Sequence, residues 1–240
     1  MTYSTPKNAL TFEVWGRHAL FTDPLTRLGG EKCSYHLPTY EAVKGITESI
    51  YWKPSLLWIV DKVRLMKPIR TEARNMKPIN LSGGNSLATY TYLVDVHYQV
   101  MAHFEWNLQR KDLKHDRDEG KHFNVARRML AKGGRRDIFL GTRECQAYVA
   151  PCRFGEGDSA HPQVGELAYG LMFHGFDYPD QTGRDELVAR FWHAKLGEGG
   201  TIDYPRPDDP GLIRRTLRKM AANPPRTSGL AEEGLLDELD

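Results

Sequence analysis

Between residues 90 and 106 the chain reads YTYLVDVHYQVMAHFEW, with Tyr90, Tyr92, Val94, Val96, Tyr98, Val100, Ala102, Phe104 and Trp106 on every even position. Asp95, His97, Gln99, His103 and Glu105 fall on odd ones. Only an extended chain repeats its side-chain direction every second residue, so this stretch predicts one long, half-buried strand. Shorter alternations predict strands at 10–16, from Leu10, Phe12 and Val14, and at 144–151, with Cys145, Ala147 and Val149 on one side. The continuous apolar run that begins at Leu56 predicts another over 55–68.

Two segments repeat at helical spacing instead. Ala42, Val43, Ile46 and Ile50 predict a helix between Pro38, in its first turn, and Pro54, as its stop. Phe123, Ala126 and Leu130, with Val125 and Met129 beside them, predict a second helix that ends on the Gly133–Gly134 pair. LSGGNS at 81–86 reads as a hairpin turn, and LGGEK at 28–32 as a turn lacking the GK[ST] that a phosphate loop needs. The order strand, helix, strand, strand, helix, strand predicts an α+β, ferredoxin-like (RRM-like) domain with a long β-hairpin over residues 1–150. Beyond it, 166–179, 186–196 and 199–207 predict a small antiparallel meander, and GLIRRTLRKMAA a short basic helix, together a subdomain over 151–225. Residues 226–240 are expected to be a mobile acidic tail.

Composition narrows the function classes. The chain has 240 residues, 27% of them charged, with a net charge of +2. No apolar run approaches the roughly 20 residues that cross a bilayer, and the N-terminus lacks a signal-peptide pattern, so a cytoplasmic setting without membrane contact is expected. The three cysteines form no CxxC pair and predict reduced, buried thiols. No HxxxH and no zinc-type cluster occurs, so no metal or cofactor is expected. The net charge says nothing for nucleic acid, but its distribution does. Arg110–Arg143 carries eleven Lys/Arg against five Asp/Glu, whereas the last eleven residues carry five acids and no base.

The basic excess centres on EGKHFNVARRMLAKGGRRD, residues 119–137. Lys121 and His122 fall in the first turn of the second helix, where unpaired amides and the helix dipole favour an anion. An imidazole with an ordinary pKa near ~6.5 moves protons at neutral pH, and a lysine supplies positive charge. Arg127, Arg128, Arg135 and Arg136 are candidate phosphate contacts. From the residues alone the stretch has two readings, a solvated helix face or a site for cutting a polyanion. Tyr51 and Lys53, by pattern alone, read as core and solvent.

A resemblance weights these readings. HALFTDPLTRLGGEKCSYHLPTYEAVKGITESIYWKP, DVHYQVMAHFEWNL, DEGKHFNVARRMLAKGGRRDIFLGTRECQAYVAPC and HGFDYPDQTG occur in order, and from about residue 9 to 207 the chain resembles the CRISPR-associated Cas-five proteins of the type I-C (Dvulg) subtype, within the RAMP superfamily. The resemblance implies a metal-independent endoribonuclease that cuts the repeat hairpins of precursor CRISPR RNA and stays on the 5′ handle within Cascade. The family's catalytic tyrosine matches Tyr51 in SIYWKP, and its Lys-His pair matches Lys121 and His122 in EGKH. His122 is expected to transfer the proton and Lys121 to stabilise charge. Tyr51, with an ordinary pKa near ~10, is a poor base and suits positioning of the 2′-hydroxyl or ribose. Lys53, Arg127, Arg128, Arg135, Arg136 and Arg143 are the expected RNA contacts. The implied partners are CRISPR repeat RNA and crRNA and the backbone and large subunits of type I-C Cascade, with DNA a further candidate. Two rivals remain: a non-catalytic subunit that binds the crRNA handle, and a metal-dependent nuclease built on Asp116, Asp118 and Glu119.

Overall fold

A computed structural model describes residues 6–24, 26, 31–79, 81–161 and 165–222. The alternation that begins at Leu10 forms β1 (Leu10–Ala19), and the next helical repeat forms α1 (Tyr40–Ile50). β2 (Leu56–Leu65), β3 (Thr71–Met76) and β4 (Ala88–Trp106) follow, and β4 is the long strand of the sequence pattern. After a 3-10 segment at Lys111–Asp116 come α2 (Glu119–Ala131), β5 (Ile138–Phe139) and β6 (Gln146–Pro151). The C-terminal part holds β7 (Leu167–Asp177), α3 (Pro179–Thr182), β8 (Glu186–Leu196), β9 (Thr201–Asp203) and β10 (Ile213–Lys219).

The fold is mixed α/β with two antiparallel sheets. The larger has seven strands in the order β5-β6-β1-β4-β2-β9, with β3 pairing to the far part of β4, and the smaller has the order β10-β8-β7. β4 is the spine. Its later part lies between β1 (Leu10↔Ala102, Val14↔Tyr98) and β2 (Trp58↔Phe104, Leu65↔Tyr98), while its first residues pair with β3. Tyr92, Val96, Tyr98, Val100, Ala102 and Phe104 of β4 join Phe12, Trp58, Val43, Ile46, Ile50, Ala126 and Leu130 in one core. Burying a large apolar side chain there contributes about 1.5–3 kcal/mol.

Several expectations change. Three odd positions of β4, Leu93 and the polar Gln99 and His103, are buried as well. Gln99 is bonded to the Glu156 carbonyl and the Gly155 amide, and His103 to the Asp61 carboxylate, so tertiary partners satisfy polar groups on the outer face. Pro38 precedes the helix: Thr39 is the N-cap, its hydroxyl accepting from the Ala42 amide. α1 ends at Ile50, before Pro54, because Tyr51 turns extended. The meander beyond 151 is partly corrected. β9 pairs with β2 of the large sheet, not with β8, and the third strand of the small sheet is β10. β10 lies in the segment read as a short basic helix. There Ile213 and Thr216 suit an extended chain, and the free edge of β8 supplies the ladder that a helix would forgo. The cysteines are free, but only Cys145 is buried, whereas Cys33 and Cys152 are half-buried. The tail at 226–240 and most of the LGGEK turn lie outside the described residues.

Candidate active site

α1 and α2 bring together residues distant in sequence. Tyr51 caps the C-terminus of α1, its amide bonded to the Thr47 carbonyl at 3.1 Å, and its own carbonyl accepts from the Trp58 indole of β2 at 2.7 Å. α2 starts at Asp118, whose carboxylate accepts from the Lys121 amide at 2.9 Å as an N-cap. Lys121 and His122 therefore occupy the first turn, as expected. His122 does not decorate the surface: it is fully buried, its ring against Tyr51, Phe104 and Trp106.

Both imidazole nitrogens of His122 have partners. Nε2 is 2.7 Å from the Asp116 carbonyl oxygen, and Nδ1 is 2.8 Å from the Tyr51 hydroxyl. A carbonyl only accepts, so Nε2 carries a proton and donates it. In the neutral ring Nδ1 then accepts from the Tyr51 O–H. Burial raises the Tyr51 pKa, and the Asp116 charge adds to the shift, with Lys121 and Arg135 opposing it. Tyr51 is thus a protonated donor at neutral pH.

Asp116 is the hub. Its Oδ1 takes a hydrogen bond of 2.5 Å from Lys121 Nζ, and its Oδ2 accepts from Ser55 Oγ at 2.9 Å and lies 3.4 Å from His122 Nε2. The bond from Lys121, ahead of the one from Ser55, holds the Asp116 carboxyl below its usual range, and in return Asp116 raises Lys121. The site thus presents an ionised carboxylate, an exposed ammonium and a buried Tyr–His pair side by side. Sequence reasoning missed Ser55 altogether, since a serine after a proline carries no signal. It saw Asp116 only as one of an acidic trio. In the structure that trio is divided: Asp118 caps the helix, Asp116 holds Lys121 and His122, and Glu119 lies in the first turn. Among the described residues no cluster of His, Cys, Asp and Glu has the geometry to hold a metal ion.

The candidate RNA contacts fall into groups. Gly133 and Gly134 have φ of 85° and 105°, and their amides close the end of α2 on the carbonyls of Leu130 and Met129. That turn carries the Arg135 and Arg136 amides back to the Ser49 and Ile50 carbonyls at the end of α1, next to Tyr51. Lys53 is exposed two residues beyond Tyr51. Arg127 and Arg128 are exposed along α2. Arg143 is not brought to the site. It sits in the turn between β5 and β6, where the Leu20 amide meets the Leu140 carbonyl. That is the far end of β1 from the start of α2, about 30 Å at ~3.3 Å per strand residue.

The chain has clear relatives. A family model described as CRISPR-associated protein (Cas_Cas5), in its Cas5d form, matches residues 9–202. The protein named CRISPR pre-crRNA endoribonuclease Cas5d from Thermus thermophilus is 30% identical over 215 residues, 79% of this chain and 89% of its own length. The protein of the same name from Mannheimia succiniciproducens is 28% identical over 230 residues, 82% of this chain and 95% of its own. A crystal structure described as a CRISPR-associated protein is 32% identical and superposes with a TM-score of 0.71, covering 89% of this chain and 99% of that one.

Proposed function

Because the chain belongs to the CRISPR-associated Cas5 family in its Cas5d form, we propose that its Tyr51–His122 pair and Lys121 cut repeat RNA. Like its relatives, it is a pre-crRNA endoribonuclease. The observation that carries the site assignment is the buried 2.8 Å bond between Tyr51 Oη and His122 Nδ1. It answers the difficulty that a tyrosine is a poor base. As the Tyr51 oxygen takes the proton of the ribose 2′-hydroxyl, the Tyr51 proton passes to His122 Nδ1, and the ring becomes an imidazolium facing the Asp116 carboxylate. The 2′-oxygen attacks the adjacent phosphorus, and the 5′-oxygen leaves with a proton from solvent. The products are a 2′,3′-cyclic phosphate and a 5′-hydroxyl. Lys121, exposed at the helix start, stabilises the charge on the phosphorane. No metal enters these steps.

Lys53, Arg127, Arg128, Arg135, Arg136 and, more remotely, Arg143 hold phosphates in this reading. The order β6-β1-β4-β2 with α1 and α2 supports a ferredoxin-like core over residues 1–150, followed by a smaller sheet unit over 151–225 and an acidic tail. After cutting, the protein stays on the crRNA 5′ handle beside the backbone and large subunits of Cascade, in the cytoplasm. DNA is a further ligand for its basic surface.

The test is cognate repeat RNA with purified protein in excess EDTA. Cleavage leaving a cyclic phosphate is expected, and a single 2′-deoxy substitution 5′ of the cut should abolish it while binding survives. Cutting of the deoxy substrate at the normal rate would sink the mechanism.

A further inference from the structure

α2 continues past the site into a groove. Lys121, Asn124 and Arg128 stand at i, i+3 and i+7, on one exposed face of the helix. A strand leaving Lys121 along that face reaches a groove of about 870 Å³ between α2 and the edge formed by the start of β1 and the end of β6. Its α2 wall holds Phe123, Arg127 and Arg128, and its opposite wall Thr11, Pro151 and Cys152. The size falls within the roughly 300–1,000 Å³ of small-ligand pockets. The groove pairs an aromatic floor with free cations. The Arg127 guanidinium lies over the Phe123 ring, 5.9 Å from its centroid. Among the described residues, no carboxylate lies within ion-pair distance of Arg127 or Arg128. A planar cation on a ring offers a face on which a base stacks, and a free arginine beside it suits the phosphate of the same nucleotide.

We propose that this groove is a nucleotide subsite: an unpaired base of the RNA stacks on the Phe123–Arg127 plane with its phosphate on Arg128. The subsite rests on the reading of Lys121 as the site of cutting. Six to seven residues of helix separate Lys121 from Arg127 and Arg128, about 10 Å at ~1.5 Å per residue. That equals the axial rise of about three stacked nucleotides at ~3.4 Å each. The bound base is therefore within three nucleotides of the cut. The groove suits nucleic acid, because an aromatic ring stands there beside cations that have no carboxylate partner among the described residues.

The experiment measures equilibrium binding of uncleavable repeat RNA, 2′-deoxy at the cut, with an abasic residue placed in turn at each of the three positions on either side. One position should cost the wild-type protein about 5- to 150-fold in affinity, the worth of one base on an aromatic plane. Arg127→Ala should weaken binding of the intact RNA by a similar factor, and the abasic residue at that position should then make no further difference. Arg127→Lys keeps the charge but not the planar face, so it too should lose the abasic penalty while retaining the salt dependence. The subsite is overturned if no position shows a penalty, or if the penalty persists in Arg127→Ala. A protein-binding groove would give the first of these results. Parallel incubation with cleavable RNA separates the two ideas. The abasic pattern without cutting in EDTA would leave the subsite standing and remove the nuclease mechanism. Cutting without the pattern would do the reverse.

Discussion

The Tyr51 hydroxyl donates to His122 Nδ1 across 2.8 Å, joining residues 71 positions apart in the chain inside a site walled by Phe104 and Trp106. The Asp116 carbonyl keeps a proton on Nε2, so Nδ1 is the nitrogen that accepts, and the bond links the buried imidazole to an equally buried phenol.

Tyr51→Phe removes that link and little else. The ring still fills its place in the core, and the lost hydrogen bond costs about 1–3 kcal/mol of stability because Nδ1 is left unpaired. Cleavage by the folded variant should fall by roughly 10²–10⁴-fold, as for loss of a positioned proton-transfer group. Thermal melts paired with single-turnover rates on repeat RNA separate the two effects. A variant that cuts at nearly the wild-type rate would show that His122 acts without the phenol.

Asp116→Asn tests the hub. The His122 anchor is a backbone carbonyl and survives the change, whereas the charge that holds Lys121 is lost. With Lys121 released and one negative charge removed, RNA should bind several-fold more tightly at low salt. The cutting rate at saturation should fall, since the imidazolium loses its counter-ion. Titration of uncleavable RNA alongside single-turnover kinetics reads both, and weaker RNA binding by a folded Asp116→Asn protein would contradict this account.

Arg135 and Arg136 are held by their backbones, so their side chains project from a fixed platform beside Tyr51. Changing both to alanine leaves the platform intact. RNA binding should weaken, and the slope of log K against log salt should shrink by about 1.4 for two contacts to single-stranded RNA. Most of the cutting rate should return at saturating protein. A saturated rate that collapses with binding unchanged would move these arginines into the chemistry.

His174 predicts acid sensitivity away from the active site. It is fully buried, stacked on Tyr40 at 4.1 Å and bonded through Nε2 to the Pro205 carbonyl, with Arg190, Trp192 and Tyr204 around it. Burial above all, then the Arg190 charge, pushes its pKa down to about 3. The unfolded chain binds this proton near pH ~6.5, so the unfolded state holds more protons between those values. Stability from this group is intact above about pH 6.5 and is lost as pH falls toward 3, by at most about 5 kcal/mol. Urea midpoints from pH 8 to 4 should drop for the wild type. His174→Phe, which keeps the stack but does not titrate, should start lower and drop less. Parallel curves for the two proteins would count against the assignment.

Local periodicity and covalent constraint already specify part of this fold. The even-numbered apolar positions of β4, the helical spacing of α1 and α2, and the two glycines that end α2 each leave one low-energy backbone, so these elements formed where the pattern put them. The sequence also located Lys121 and His122 on a helix start, and a family resemblance added Tyr51. Tertiary structure decided the rest. β9 joined β2 and not β8, and IRRTLRK became an edge strand, because pairing partners lie far away in the chain and leave no local signal. The burial of His122, its proton on Nε2, and the binding of Lys121 and Ser55 to one carboxylate depend on residues 51, 55 and 116 meeting around a helix end. Each of those contacts is set by packing between separate elements, and residue spacing along a single element carries no record of it.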